Sequence, residues 1–84
     1  MIRDVLIARK AEKDIKHLTN EYKERIKNAL RLLSAEPFKG EALLGEFKGL
    51  RRYRIGDFRI IYGIDLQKQY LIVIRVRHRK EVYR

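Results

Sequence analysis

Hydrophobic residues recur along this chain with two different spacings, one typical of helices and one typical of strands. Apolar positions three and four residues apart run over residues 9–18 and, more regularly, over 21–36. Lysines and arginines occupy the other faces, which predicts two amphipathic helices. Either residue of the Thr-Asn pair ahead of the second segment can cap its start. Pro37 ends that helix, and residues 38–45 are expected to form a loop with at most a single turn.

Alternation of apolar and polar residues predicts strands in the second half of the chain. Residues 50–62 alternate on both sides of Gly56-Asp57, a pair typical of a tight hairpin turn. A last strand is predicted over 70–77, and a short apolar run over 2–7 predicts a first strand. The order β-α-α-β-β-β predicts an α+β fold in which a helical hairpin covers one face of a twisted, mainly antiparallel sheet.

The predicted strands have one apolar face and one cationic face, because successive strand side chains alternate. When the apolar residues face the helices, the inward positions are Tyr53, Ile55, Phe58, Ile60, Tyr62, Ile72, Ile74 and Val76. The opposite face then collects five arginines, Arg52, Arg54, Arg59, Arg75 and Arg77. Like charges on neighbouring strands repel, so this clustering indicates an anion-binding site rather than an ordinary solvated face.

Composition narrows the candidates to a small basic domain. An 84-residue chain supports one modest core, so a single domain over residues 1–84 is expected. The formal charge of +10 favours a nucleic-acid partner over an acidic protein, and either of these over a membrane surface. The chain has no Cys and two His, and its start lacks a signal-peptide pattern. We therefore expect a cytoplasmic protein without a metal ion or other cofactor.

Two residues after the last strand are candidates with more than one interpretation. His78 is either a surface residue or a base and hydrogen-bonding group at the basic end of that strand. Tyr83 either stacks on a nucleobase or closes the edge of the core. Arginine suits phosphate because its planar fork donates two hydrogen bonds at once. Acidic residues near the basic face are too few to suggest a metal-dependent nuclease.

Two motifs in the chain resemble the RelE/ParE superfamily of toxins from toxin–antitoxin systems. One is Leu-Arg-Arg-Tyr-Arg-Ile-Gly-Asp-Phe-Arg-Ile-Ile-Tyr at residues 50–62, and the other is His-Arg-Lys-Glu-Val-Tyr at 78–83. The strand–helix–helix start matches as well, so the resemblance covers nearly the whole length. It implies the fold already predicted from the pattern.

The resemblance to the RelE branch implies a ribosome-dependent endoribonuclease that cuts mRNA in the ribosomal A site. There, a ribose 2′-OH attacks its own 3′-phosphate without a metal ion. By position in the motifs, Arg52 and Arg54 are the basic strand residues and Arg59 is the phosphate-binding arginine after the turn. Arg79 is the arginine of the last motif, and Tyr83 is the base-stacking aromatic.

At the position of the general base, this chain departs from the RelE pattern. RelE has a lysine on the strand where this chain has arginines, and an arginine with a pKa above ~12 is a poor base. Relatives in the YoeB branch use a glutamate ahead of the hairpin and a C-terminal histidine, and their pattern places these at Glu41 and His78. Lys48 is another candidate base. Lys48, Arg75 and Arg77 are predicted to contact RNA phosphates.

The superfamily leaves two further functions open. The ParE branch has the same fold but inhibits DNA gyrase by protein contact, without nuclease chemistry. A catalytically inert RNA-binding module would require only the charge. Both toxin interpretations imply a cognate antitoxin, acidic or amphipathic and RelB-like, and the RelE interpretation adds mRNA and the rRNA of the ribosome as partners.

Overall fold

The computed structural model describes residues 2–81, which form two helices and one five-stranded mixed sheet. The strand order is β1-β5-β4-β3-β2, with β1 parallel to β5 and the other pairs antiparallel. The elements are β1 (Asp4–Ile7), α1 (Arg9–Lys16), α2 (Asn20–Ala35), β2 (Glu41–Ala42), a 3₁₀ turn (Gly45–Phe47), β3 (Leu50–Ile55), β4 (Phe58–Asp65) and β5 (Tyr70–His78). The predicted α+β fold is confirmed, and the candidate Tyr83 lies outside the described residues.

The two helices form where the apolar spacing predicted them. Thr19 caps α2 by accepting a hydrogen bond from the Tyr22 amide at 3.3 Å. Pro37 follows two residues after the helix ends. Both helices contribute to one core, in which Ala11 and Leu33 are completely buried against the sheet. Among residues 2–81, no helix has the length and apolar character of a membrane span.

The segment after Pro37 contains more regular structure than the predicted loop. Glu41 and Ala42 pair with Arg52 and Arg51 as the two-residue strand β2. So short a strand has no alternation that a sequence pattern could reveal. Its consequence is that Glu41 is placed directly opposite Arg52 on the edge of the sheet.

A buried hydroxyl holds this segment in place. The Tyr62 hydroxyl donates to the carbonyl oxygen of Pro37 at 2.7 Å and accepts from the Gly40 amide at 3.0 Å. Arg51 adds hydrogen bonds to the carbonyl oxygens of Gly40 at 3.0 Å and Phe38 at 3.1 Å. A Cβ at Gly40 would collide with the Tyr62 hydroxyl, so only glycine fits there.

The antiparallel pairing of β4 and β5 contains a bulge at Ile74. Arg75 lies opposite Ile61, but the next pair is Val73 with Tyr62, so Ile74 has no partner on β4. An extra residue in one strand reverses the alternation on one side of it. The phase predicted for the last strand therefore holds only downstream of Ile74.

Upstream of the bulge, the inward positions are the reverse of those predicted. Leu71 and Val73 are completely buried in the core, whereas Ile72 and Ile74 are only half-buried. The prediction that Ile72 and Ile74 face the helices is therefore wrong. The face away from the helices is consequently apolar at one end and cationic at the other.

The hairpin of β3 and β4 is confirmed at the predicted turn. Ile55 pairs with Phe58, so Gly56 and Asp57 form a two-residue connection. Gly56 has a φ of +56°, a conformation that other residues adopt only with strain. The arginines nearest to this turn form the site described next.

Candidate functional site

Three arginines stand side by side on the sheet face away from the helices. Arg54 on β3 lies opposite Arg59 on β4, and Arg59 lies opposite Arg77 on β5. Residues directly opposite in an antiparallel pair share a face, and neighbouring strands are about 4.8 Å apart. We call Arg54, Arg59 and Arg77 the free arginine row. Its like charges repel unless an anion lies between them.

The hydrogen-bonding state of the free arginine row also points to a ligand. The Nε atom of Arg59 is buried and makes no hydrogen bond within residues 2–81. Arg77 Nε is likewise buried without a hydrogen bond, although Glu81 Oε2 lies 2.9 Å away as an ion pair. Arg54 is exposed. A buried charged N–H without an acceptor is destabilising, and an anionic oxygen bound here would relieve that cost.

A second pair of arginines lies one repeat further along the same face, and carboxylates bind both of its members through hydrogen bonds. Arg52 lies opposite Ile61, which lies opposite Arg75. Arg52 donates to the carboxylate of Glu41 across the sheet edge. Arg75 binds Asp14 through its Nε at 2.8 Å and its Nη2 at 3.0 Å. We call Arg52 and Arg75 the paired row.

Asp14 lies in the last turn of α1, and its carboxylate holds the side chain of Arg75 away from the free arginine row. Burial raises the pKa of Asp14, but hydrogen bonds from Arg75 and from the Val76 amide, at 2.9 Å, together with the charge of Arg77, lower it below its ordinary value. The ionised carboxylate thus satisfies an amide at the edge of β5. The structure does not bring Arg75 into the free arginine row, and no sequence pattern pointed to Asp14.

Glu41 stays ionised beside the cationic face. The hydrogen bond from Arg52 lowers the pKa of Glu41 below its ordinary value, and the charges of Arg52 and Arg54 act in the same direction. The ionised carboxylate can accept a proton, but its lowered pKa makes it a weaker base than a free glutamate. Glu41 shares the sheet face of Arg52, next to Arg54 at one end of the free arginine row.

His78 lies on the other side of the sheet. It pairs with Phe58, and the two rings meet edge to face with centroids 5.1 Å apart. Its Nδ1 accepts a hydrogen bond from the Lys80 amide at 3.1 Å. Glu41 is on β2 and His78 on β5, so two strands and about 14 Å separate them across the sheet. The structure does not bring these two acid–base candidates together.

The remaining candidates are spread along the border of the face. The Arg79 amide donates to the carbonyl oxygen of Asp57 at 2.7 Å, and its Nε lies 3.5 Å from the Asp57 carboxylate, so this exposed side chain is tethered at the hairpin turn. Lys48 is exposed directly after the 3₁₀ turn. Within residues 2–81, no cluster of three or more His, Asp or Glu side chains is arranged to hold a metal ion.

One known protein family matches nearly the whole chain. The sequence model of the ParE toxin of type II toxin–antitoxin systems matches residues 5–83. The chain belongs to this toxin family. The predicted membership of the RelE/ParE superfamily is thereby confirmed, and the protein is a toxin of a type II toxin–antitoxin module.

Individual relatives of this toxin carry RelE-type names. It is 38% identical to Toxin RelG from Mycobacterium tuberculosis over 53 residues, which are 62% of this chain and 61% of that protein. The toxin–antitoxin complex RelBE2 from the same organism matches with a TM-score of 0.83 and 28% identity, covering 93% of this chain and 99% of that one. The intact Escherichia coli RelBE complex matches in fold, with a TM-score of 0.77, 18% identity and coverage of 95% and 96%.

Proposed function

We propose that this toxin is an mRNA endoribonuclease that acts in the A site of cytoplasmic ribosomes, stops translation and is neutralised by a cognate antitoxin. The observation that carries the proposal is the free arginine row with its unsatisfied Arg59 Nε. A row of guanidinium groups suits a phosphate whose negative charge grows during the reaction. The net charge of +10 suits an RNA-rich target in the same way.

In the proposed reaction, the 2′-OH of a ribose loses its proton to a base, and its oxygen forms a bond to the adjacent phosphorus. The bond from phosphorus to the 5′ oxygen breaks, and that oxygen takes up a proton. The products are a 2′,3′-cyclic phosphate and a free 5′-OH. Arg59 and Arg54 bind the phosphate oxygens and stabilise the extra charge of the transition state.

Proton transfer needs a residue other than these arginines, which remain protonated. Glu41 is our candidate base, because it is an ionised carboxylate next to Arg54 on the same side of the sheet. Lys48 is the alternative base. Arg79, at the hairpin turn, is proposed to contact the RNA backbone, and Tyr83 is proposed to stack on a base. His78 would have to act from the opposite face, so we do not pair it with Glu41.

The proposed antitoxin partner is supported by the solved relatives. The matching structures from M. tuberculosis and E. coli are both toxin–antitoxin complexes. An acidic partner suits a chain with 21 Lys and Arg against 11 Asp and Glu. By covering the free arginine row, it would exclude RNA from the site.

A second candidate function is inhibition of DNA gyrase by protein contact. It is favoured by the family model, which is that of ParE toxins over residues 5–83. In that case the free arginine row would bind an acidic protein surface, and no RNA bond would be broken. The third candidate function is RNA binding without catalysis.

The deciding experiment is to express the toxin with and without its antitoxin and to map the 5′ ends of mRNA on stalled ribosomes. Cleavage in the A site that disappears with the antitoxin supports the proposal. Intact mRNA with gyrase-linked DNA breaks would support the ParE alternative. Growth arrest with neither signal, and with RNA retained on the purified protein, would point to the inert module.

A further inference from the structure

One end of the free arginine row already has a carboxylate of the toxin beside it. Glu81 Oε2 lies 2.9 Å from Arg77 Nε, at the β5 end of the row. The other three ion pairs in the part of the chain that the structure describes hold arginines outside the row. In the toxin without RNA, Glu81 therefore supplies the row with a negative charge.

The position of Glu81 follows from a turn directly after β5. The strand ends at His78, and the Glu81 amide donates to the His78 carbonyl oxygen at 2.9 Å. The side chain of Glu81 makes a second contact there, because its Oε1 accepts from the His78 amide at 2.8 Å. These two hydrogen bonds fix the turn, and they leave Oε2 as the oxygen beside Arg77.

The ion pair of Glu81 with Arg77 is looser than that of Asp14 with Arg75. Arg75 makes two hydrogen bonds to the Asp14 carboxylate, and the side chain of Asp14 is 17% exposed. The side chain of Glu81 is 44% exposed, and the nearby Arg77 Nε makes no hydrogen bond within the described chain. A half-exposed ion pair contributes little, whereas arginine can bind a phosphate through two charge-assisted hydrogen bonds. A phosphate can therefore replace Glu81 at Arg77.

The charge of Glu81 opposes RNA as long as it stays at Arg77. A carboxylate and a phosphate that approach the same guanidinium repel each other. Arg59 lies directly opposite Arg77, so the repulsion also acts on a phosphate bound at Arg59. When Glu81 leaves, this repulsion falls and the buried Arg77 Nε becomes available to a phosphate oxygen.

We propose that Glu81 is an internal competitor of RNA, which neutralises Arg77 in the free toxin and is displaced by an RNA phosphate. The proposal concerns regulation of the nuclease site and rests on the function proposed above. Without RNA, the charge of Glu81 reduces the repulsion between Arg77 and Arg59 on the neighbouring strand. With RNA, the phosphate takes over that role. An anion must therefore bind Arg77 more tightly than Glu81 does in order to complete the row.

The test is the RNA affinity of Glu81→Gln, in which an amide replaces the carboxylate. The oxygen of Gln can still accept from the His78 amide, so the turn is retained while the charge is lost. We expect this variant to bind a short 2′-O-methyl RNA, which lacks the attacking hydroxyl, about fivefold more tightly than wild type. Fluorescence anisotropy at fixed ionic strength measures both affinities. Glu24→Gln, which makes the same change of net charge at an exposed position of α2, should bind with about wild-type affinity.

A double-mutant cycle shows whether Glu81 acts through Arg77. In an Arg77→Ala background, Glu81→Gln should no longer tighten RNA binding, because the guanidinium for which Glu81 competes is absent. A gain that persists in this background would reveal a general effect of charge and would overturn the proposal. Unchanged or weaker RNA binding by Glu81→Gln alone would also overturn it, since weaker binding is expected if Glu81 instead positions Arg77 for RNA.

NMR of the wild-type toxin keeps the test decisive if Arg77→Ala does not fold. Addition of the same RNA should shift the resonance of the Glu81 carboxyl carbon, because this carboxylate leaves its arginine. The carboxyl resonance of Asp14, which stays bound to Arg75, should not move. A Glu81 resonance that stays in place while RNA binds would contradict displacement.

Failure of this proposal can be told apart from failure of the proposed nuclease, because RNA affinity is measured without cleavage. Tighter RNA binding by Glu81→Gln together with intact mRNA on stalled ribosomes would refute the nuclease and leave the competition standing. A-site cleavage by a toxin whose RNA affinity is unmeasurable, or unaffected by Glu81→Gln, would do the reverse. A wild-type toxin that neither binds this RNA nor cleaves mRNA would overturn both.

Discussion

Two neighbouring rows of arginines on one sheet face differ in what holds them. In the paired row, Arg75 is held by Asp14 and Arg52 by Glu41. In the free arginine row, Arg77 has an ion pair with Glu81, but the buried Nε of Arg59 has no acceptor within residues 2–81. The rows are two residues apart along the strands, which is about 7 Å. Identical side chains at this spacing thus differ in their hydrogen-bond partners.

The comparison shows that counting arginines on a face overestimates the size of the site. An arginine that is already bound by a partly buried carboxylate contributes to stability, because its charge and its donors are satisfied inside the molecule. An arginine with an unsatisfied donor is available to an external anion. Arg75 should therefore affect folding, whereas Arg52 should affect it little because Glu41 is exposed. The free arginine row should affect RNA.

The largest expected effect is on catalysis, from Arg59→Ala in the free arginine row. We expect mRNA cleavage to fall by about 100-fold, since one preorganised donor to a transition-state oxyanion has an effect of this size. Stability should change by no more than about 1 kcal/mol, because Arg59 Nε has no internal partner. Primer extension on ribosome-bound mRNA measures the first quantity and urea unfolding the second. Arg3→Ala, an exposed charge outside both rows, is the matched control, and equal loss in both variants would refute the assignment.

In the paired row, we expect a loss of stability with little loss of mRNA cleavage. Asp14→Ala leaves Arg75 and the Val76 amide without their acceptor, which should cost about 2 kcal/mol of unfolding free energy. Once folded at low temperature, the variant should cleave mRNA nearly as well as wild type. A loss of cleavage larger than the loss of folded protein would show that the two rows do not have separate roles.

The sequence alone predicts the elements of this molecule better than it predicts the partners of its side chains. Helix spacing, the Gly56 turn and the alternation of β3 and β4 are local signals, and each element formed where it was predicted. The bulge at Ile74 inserts one residue without any turn former, so the phase of β5 upstream of it could not be read from alternation.

In the candidate site too, local sequence signals predict where residues lie better than they predict which residues meet. Arg54 and Arg59 are predicted on one face and lie there, because short-range alternation places them. The pairing of Arg75 with Asp14 spans 61 positions in the chain and depends on how α1 packs along β5. The separation of His78 from Glu41 likewise depends on sheet order. Such contacts follow from tertiary packing, which a single sequence does not display.

A smaller effect on stability is expected from Tyr62, whose hydroxyl holds the loop that carries Glu41. Tyr62→Phe removes a buried hydroxyl that bonds to Pro37 and Gly40, which should cost about 1 kcal/mol. Because the loop that carries Glu41 loosens, we also expect the pKa of Glu41 to rise toward its ordinary value. Carboxyl NMR titration measures the pKa. Tyr70→Phe, which changes a half-buried tyrosine outside this loop, is the control. An unchanged pKa of Glu41 in Tyr62→Phe would show that Tyr62 does not position Glu41.

The smallest effect is a pH dependence that belongs to the paired row alone. The pKa of Asp14 is lowered in the folded state, so its contribution to stability is present above the ordinary value of 3.8 and is lost as the pH falls through the folded value. The stability difference between wild type and Asp14→Asn should therefore shrink when urea unfolding is repeated from about pH 5 down to about pH 2. A difference that stays constant over this range would show that the Asp14 charge is not involved.

The central claim is that RNA phosphate binds the free arginine row and leaves the paired row untouched. The most direct measurement is an NMR spectrum of the arginine Nε–H groups, recorded while a short RNA with a 2′-deoxy substitution that prevents cleavage is added. The account predicts that the Arg59 resonance shifts and becomes protected from exchange, while the Arg75 resonance stays in place with Asp14 still bound. An unmoved Arg59, or equal shifts at Arg59 and Arg75, would contradict it.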